Sequence, residues 1–211
     1  RSIEARVIGE FNISNLLAVV SGLVCSGISF EKACGAISGL THPQGRLQKV
    51  RSLFKRSVYV DYAHTPDALK SVLATLKGLV QFDGRLITVF GAGGDRDKNK
   101  RPMMGNVVLD YSDIAIVTSD NPRYEDPLEI CEAIVAGNKS RFMVDLDRRS
   151  AIRRAIDLSG EADIVLIAGK GHEKYQEVAG KRFSFDDYSE AESYLNDMYS
   201  GSIKHEGCLN V

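Results

Sequence analysis

Two short runs constrain the fold more than anything else in this chain: Leu86-Ile-Thr-Val-Phe90 and Ile164-Val-Leu-Ile-Ala168. A strand with one face in water alternates apolar and polar residues. The run at 164–168 has no polar residue at all, so it must be covered on both faces, as in a parallel sheet. Further short strands are predicted at 58–60, 114–118 and 142–144. Helical stretches separate them at 102–109, at 127–136 (closed by Gly137) and at 149–158. Between the first two strands, Thr65-Pro66-Asp67 gives a cap, a proline at the first helical position and an acid in the first turn. Leu69, Val72, Leu73, Leu76 and Val80 then form that helix's apolar stripe. Strands joined by helices of this length require βαβ crossovers. The expected fold class is therefore α/β, a Rossmann-like, doubly wound, mostly parallel sheet. An edge strand is expected at 183–185, a last helix at 188–199 and an aperiodic, frayed tail at 201–211.

The chain before residue 49 has another character. Leu16, Val20, Leu23 and Val24 lie at helical spacing in a segment from 11 to 25, with Asn12 or Ser14 as candidate caps. A second, shorter helix is predicted at 30–37. Gly39-Leu-Thr-His-Pro-Gln-Gly45 is then a cluster of breakers and the best candidate for a hinge. The expected division is a helical segment at 1–48, the α/β domain at 49–200 and the tail at 201–211.

Composition excludes some partners. The 27 basic and 28 acidic residues leave a net charge of -1, whereas a protein that coats nucleic acid or an anionic membrane needs a basic excess. No apolar run approaches the roughly 18–20 residues of a membrane span. Cys25, Cys34, Cys131 and Cys208 are widely spaced and form no CxxC pair, which fits reduced thiols in the cytoplasm. Four histidines without paired ligand spacing give no transition-metal pattern.

Ligands in open α/β sheets bind beyond the carboxyl ends of the strands, and the unusual residues fall there. The loops are Asp61-Tyr-Ala-His-Thr-Pro66, Gly91-Ala-Gly-Gly-Asp-Arg-Asp-Lys-Asn-Lys-Arg-Pro102, Ser119-Asp-Asn-Pro-Arg123 and Gly169-Lys-Gly-His-Glu173. The glycines at 91–94 lack the spacing of a dinucleotide fingerprint and read equally as a tight turn. Within the charged run that follows, Arg96 is expected to point inward and Lys98 and Lys100 to be solvated. Met103 and Met104 are read as helix core, and His42 and His205 carry no functional signal. Pro122 stiffens the backbone between Asn121 and Arg123, which suits a loop that presents a guanidinium to a carboxylate. Glu173 is placed to accept from an ammonium group. Two arginines and an asparagine for a carboxylate, with a glutamate for an amine, describe a zwitterionic amino acid as ligand; the residues by themselves give an amino-acid or phosphate site and no reaction.

Six strings carry a resemblance: Phe11-Asn-Ile-Ser-Asn15, Gly45-Arg46, Tyr59-Val-Asp-Tyr-Ala-His-Thr-Pro-Asp-Ala68, and the loops after the strands at 90–102, 118–123 and 168–173. In this order they resemble the C-terminal portion of the Mur ligases, enzymes of bacterial cell-wall synthesis, and specifically the members that add diaminopimelate. The resemblance implies an ATP-dependent ligase with Mg2+ as cofactor. Its substrates would be meso-2,6-diaminopimelate, ATP and the UDP-N-acetylmuramoyl dipeptide. It further implies that residues 1–48 are the end of a central ATPase domain. Carried over by position, Asn12 and Asn15 would line the adenine, and Arg46 and Asp61, with His64 nearby, the ribose and phosphates. Arg96, Asn121, Arg123, Gly169 and Glu173 would hold diaminopimelate, with Asp120 supporting the loop. The Asp-Asn-Pro-Arg form favours diaminopimelate over lysine, because its distal carboxylate satisfies an arginine that lysine leaves unpaired.

No GxxxxGK[ST] phosphate loop occurs. The phosphate and metal ligands are therefore expected upstream of Arg1 in a longer protein, with no catalytic residue in this chain and no ligation by it alone. The chain is expected to be a cytoplasmic monomer with no nucleic-acid or membrane partner. A lysine-adding or folylpolyglutamate synthase-like relative, or a non-catalytic amino-acid- or nucleotide-binding module, are the alternatives.

Overall fold

The computed structural model describes residues 5, 7–40 and 42–207. A six-stranded sheet organises them in the order β1-β2-β6-β3-β4-β5. Its strands are β1 (Gln48–Lys49), β2 (Ser57–Asp61), β3 (Leu86–Phe90), β4 (Ile114–Val117), β5 (Met143–Val144) and β6 (Ile164–Ala168). Only β1 is antiparallel, pairing Gln48 with Val60; every other neighbour is parallel. The central strand β6 pairs with β2 on one side and β3 on the other, and Val165, Leu166 and Ile167 are fully buried. That is the double cover its composition demanded.

The helices divide between the two faces. Helices α3 (Pro66–Lys77), α4 (Lys100–Tyr111) and α5 (Pro127–Val135) pack Leu73, Val108 and Ile134 into one core with Leu86, Phe90 and Leu166. Helices α6 (Arg148–Leu158) and α7 (Asp187–Gly207) pack Ile152, Ile156 and Leu195 against Val58, Val89 and Ile167 on the other face. Local chemistry starts three of these helices where the sequence placed them. Thr65 Oγ1 accepts from Ala68 N–H at 3.3 Å, Asp126 from Leu128 at 2.7 Å and Asp147 from Ser150 at 3.1 Å.

Before β1, α1 (Glu10–Cys25) and α2 (Phe30–Ile37) form a hairpin with its own small core of Val20, Ala33 and Ile37. The cap of α1 differs from expectation. Gly9, at φ 98°, occupies the N-cap, and neither Asn12 nor Ser14 caps the helix. Asn12 instead donates back to the carbonyl of Ile8 at 2.7 Å.

Two expectations at the C-terminal end are corrected. The segment expected as an edge strand belongs to a separate hairpin, β7 (Tyr175–Val178) with β8 (Lys181–Ser184), which stands off the main sheet. Its turn places Ala179 and Gly180 at φ 49° and 73°, the double left-handed geometry that matches strand twist. All of β8 is exposed, so no apolar alternation marks it as a strand. The frayed tail expected from residue 201 begins as helix, because α7 continues to Gly207. A glycine costs helix stability without blocking its hydrogen bonds, as only proline does. Cys208 lies outside the described residues.

One wholly buried ion pair fastens these layers together. The guanidinium of Arg148, in the first turn of α6, meets Asp187, in the first turn of α7, through Nε at 2.7 Å and Nη2 at 2.8 Å. Burial disfavours the Arg148 charge, and the Asp187 carboxylate more than restores it, so its pKa stays raised. Removing one partner strands a buried charge, at a cost of about 3–5 kcal/mol. Arg148→Met and Asp187→Leu singly are expected to destabilise the chain by that amount. The double variant should recover most of the loss, as urea unfolding midpoints will show.

Candidate functional site

Adjacent strands β6 and β3 send their following loops to opposite faces of the sheet, which opens a crevice beyond their carboxyl ends. A cleft of about 330 Å³ occupies it. Each strand-end loop contributes: His64 after β2, Arg96 after β3, Asp120 and Arg123 after β4, and Gly169 after β6. Five of the residues singled out from sequence thus share one cavity.

Arg123 is held with unusual rigidity. Its backbone sits at φ 52°, a conformation that a non-glycine residue adopts only when its surroundings enforce it. Here β7 enforces it: Arg123 N–H donates to the carbonyl of Glu177 at 3.0 Å, and Ala179 N–H donates to the carbonyl of Arg123 at 2.6 Å. The guanidinium donates through Nη1 to the carbonyl of Gly94 at 2.6 Å, and Nε lies 3.8 Å from the Glu177 carboxylate. Gly94 N–H returns a bond to the carbonyl of Asn121 at 2.9 Å. A Cβ at Gly94 would overlap the carbonyl of Pro122, so only glycine lets the two loops meet.

Asn121 and Glu173 are joined to each other beside this cleft. Asn121 Nδ2 donates to Glu173 Oε2 at 2.8 Å, while Asn121 Oδ1 accepts from Lys170 Nζ at 3.0 Å and from Glu177 N–H at 2.9 Å. Lys170 is wholly buried and 3.6 Å from Glu173. Burial pushes its ammonium pKa down, and the carboxylates of Asp120, Asp187 and Glu173 oppose that shift. Asp120 is buried, and its Oδ2 would lie 2.5 Å from a Cβ at Gly169, whose φ is 118°.

Three of the residues expected on a nucleotide side, Arg46, Asp61 and His64, gather at the end of β2. Asp61 is buried and accepts from Leu47 N–H at 2.7 Å and Ala63 N–H at 2.8 Å. Burial raises its pKa; those amides and Arg46 pull it back. The Arg46 guanidinium lies 4.9 Å from the Tyr62 ring centre, with His64 at 4.6 Å and His172 at 5.3 Å from the same ring. Asn15 donates to Asn12 Oδ1 at 3.3 Å on α1, and neither asparagine lines the cleft. His42, which had no signal in the sequence, links the two regions. Its Nε2 accepts from Ile8 N–H at 2.8 Å, which assigns its proton to Nδ1.

Other expectations shift. Arg96 lines the cleft but is itself exposed, and Met103 is exposed while Met104 is core. The charged run holds one buried cation that the sequence reading missed: Arg101 forms a two-pronged bond to Glu125 at 2.8 and 3.0 Å. Lys98, exposed as expected, is still 3.1 Å from Glu125. Lys170, inside the string at 168–173, is a second buried cation that the sequence analysis does not single out. A lysine two residues past a strand buried on both faces is its signal.

A family model described as Mur ligase, glutamate ligase domain, matches residues 45–171. The chain belongs to the Mur ligase family. It is 45% identical over 90% of its length to the UDP-N-acetylmuramoyl-L-alanyl-D-glutamate--2,6-diaminopimelate ligase of Chromobacterium violaceum. It is 50% identical over 89% of its length to the enzyme of the same name from Coxiella burnetii. It spans 38% of the length of each of these relatives. A solved structure of a ligase with this name superposes on 93% of the chain and 40% of its own, with a TM-score of 0.71 and 42% identity.

The Arg101–Glu125 pair sits under the glycine-rich loop of this Mur ligase and makes a pH signature. The side-chain hydrogen bond from Arg101 is the largest cause that lowers the Glu125 pKa from 4.5 to about 2. A depressed carboxyl pKa stabilises the fold above the unfolded value, and that stability is lost as pH falls through the folded one. Between pH 4.5 and 2 the wild-type chain is therefore expected to lose urea resistance more steeply than Glu125→Gln.

Proposed function

We propose that this Mur ligase chain is the amino-acid-binding part of an ATP-dependent, cytoplasmic ligase. The reaction attaches meso-2,6-diaminopimelate to UDP-N-acetylmuramoyl-L-alanyl-D-glutamate. The observation that carries this reading is Arg123, fixed by β7 and Gly94 with its guanidinium at a cleft that also holds Arg96. Nε faces Glu177 and one Nη1 hydrogen is spent on Gly94, so the outer edge of the guanidinium stays available for a carboxylate. Lysine has no distal carboxylate to satisfy that edge. The similarity to ligases named for diaminopimelate agrees with this choice.

In the proposed reaction the γ-phosphoryl group of ATP passes to the terminal carboxylate of the UDP-linked dipeptide, giving an acyl phosphate and ADP. The neutral amine of diaminopimelate attacks the acyl carbon, the amide C–N bond forms, the C–O bond to phosphate breaks, and the amine loses its proton. The chain's part is to bind and aim. Arg123 and Arg96, with the free Nδ2 hydrogen of Asn121, take carboxylate, Glu173 takes the ammonium end, and Asp120 and Gly169 shape the loop between them. Asn12 and Asn15 are assigned to the adenine, and Arg46, Asp61 and His64 to the ribose and phosphates. We assign residues 1–48 to the end of a central ATPase domain and 49–200 to the C-terminal domain. Ile13, Leu17 and Phe30 are each more than half exposed on the α1–α2 hairpin, as such a junction requires. Among the described residues no cluster of three or more acidic, histidine or cysteine side chains could hold a metal ion. The Mg2+ that the family implies therefore finds no ligand set in them. Among the described residues no helix is long and apolar enough to cross a membrane.

Calorimetric titration tests the assignment. Meso-diaminopimelate is expected to bind saturably, with L-lysine weaker by on the order of a thousandfold, since a site built for a charged group rejects the analogue that lacks it. Arg123→Ala should abolish the preference. Equal affinity for both ligands, or binding of neither, would overturn the reading.

A further inference from the structure

Asn121 has an amide whose two ends are chemically distinct yet similar in shape, so its partners must dictate which end faces where. Three groups do so. Glu177 N–H and the Lys170 ammonium are donors only, and both point at Oδ1, at 2.9 and 3.0 Å. The Glu173 carboxylate is an acceptor and faces Nδ2 at 2.8 Å. A flipped amide would set two donors against an NH2 group and a carbonyl against a carboxylate, so one orientation alone satisfies the cluster. Of the three groups, Lys170 alone touches both sides of it. Its Nζ bonds Asn121 and lies 3.6 Å from Glu173 Oε2, and its side chain is wholly buried. A buried ammonium does not relocate to water without breaking these contacts.

We infer that Lys170 is a positioning residue for the amino-acid site: its ammonium locks the Asn121 amide with NH2 toward Glu173, so the two substrate-facing groups are set as one unit. This rests on the amino-acid-binding reading for its ligand, though the locking itself does not require a ligand. Locked this way, Asn121 keeps one Nδ2 hydrogen for a substrate acceptor, and Glu173 keeps Oε1 for a substrate ammonium. The site thus presents a donor and an acceptor side by side, in fixed order, to an amino-acid head group. Lys170 never meets the substrate. It acts through Asn121 and Glu173, and it joins the loop after β4 to the loop after β6.

The test has a ligand-free arm and a ligand arm. In the ligand-free wild-type chain, the Asn121 side-chain NH2 protons should show nuclear Overhauser contacts to the Glu173 γ-methylene and exchange slowly with water. Free exchange with water, or absence of those contacts, overturns the inference without any mutation. In Lys170→Met, which keeps length and loses the charge, exchange of those NH2 protons with water should accelerate at least roughly tenfold, as befits loss of a hydrogen bond to a charged group. Backbone amides of β4 and β6 should stay protected. In the ligand arm, Lys170→Met should weaken diaminopimelate binding roughly 10- to 100-fold. Adding Asn121→Ala to it should cost little more, because the two residues act as a unit. Fully multiplicative losses, or unchanged binding in Lys170→Met, would sink the positioning role while Arg123→Ala still reports on the reading itself. If the wild-type chain ignores diaminopimelate, the reading fails, and the ligand-free arm still judges the lock.

Discussion

The Arg148–Asp187 ion pair is the contact on which the working end of this protein depends. It lies under the candidate site, wholly out of water, where α6 and α7 begin. Beyond Asp187, Arg148 Nη2 reaches the carbonyl of Ala168 at 2.9 Å and Nη1 that of Ser119 at 3.4 Å. Those carbonyls close β6 and follow β4, the strands whose loops carry Gly169, Lys170, Asp120 and Asn121. A single guanidinium therefore sets the depth of two strand ends and the start of two helices. Desolvation makes such a group costly unless every donor is used, and that cost gives the arrangement its uniqueness.

Above this pair lies a second layer of charge. Lys170 is buried among Asp120, Asp187 and Glu173, and Arg148 adds a like charge that works against it. In this low-dielectric layer hydrogen bonds between charged groups reinforce one another. The candidate site is its upper surface, where Glu173, Arg123 and Arg96 reach solvent. Backbone contact completes the platform. Gly94 meets Pro122, and a Cβ at Gly45 would overlap the backbone of Gly171 and His172. These close approaches let the loops brace one another. The linker that leads from α1–α2 into β1 is thus pinned beside the loop after β6.

The hairpin β7–β8 shows where sequence patterning gives out. One of its strands is half-buried and the other wholly exposed, and its turn has alanine at a position that usually favours asparagine or glycine. That pattern marks only a short strand at 183–185 and gives no sign of β7, yet the hairpin braces Arg123 through backbone bonds that any residue type could make. The motif Asp-Asn-Pro-Arg is readable as a candidate carboxylate binder, but the strand that holds it is not. Arg101 and Lys170 were hidden for a related reason. A cation within a charged loop looks solvated until its partner is known, and Glu125 lies 24 residues from Arg101.

The sequence by itself determined the α/β class, the order of elements, most helix starts and the loops that meet at the rim. These follow from local rules: apolar runs that need two covers, prolines and caps that start helices, and glycines that turn the chain. Tertiary structure alone decided which charges are buried, which loops touch, and which way the Asn121 amide faces. Those outcomes depend on pairs distant in sequence, Arg148 with Asp187 and Lys170 with Asn121. Burial cost and hydrogen-bond satisfaction select such pairs only after the sheet has brought them together.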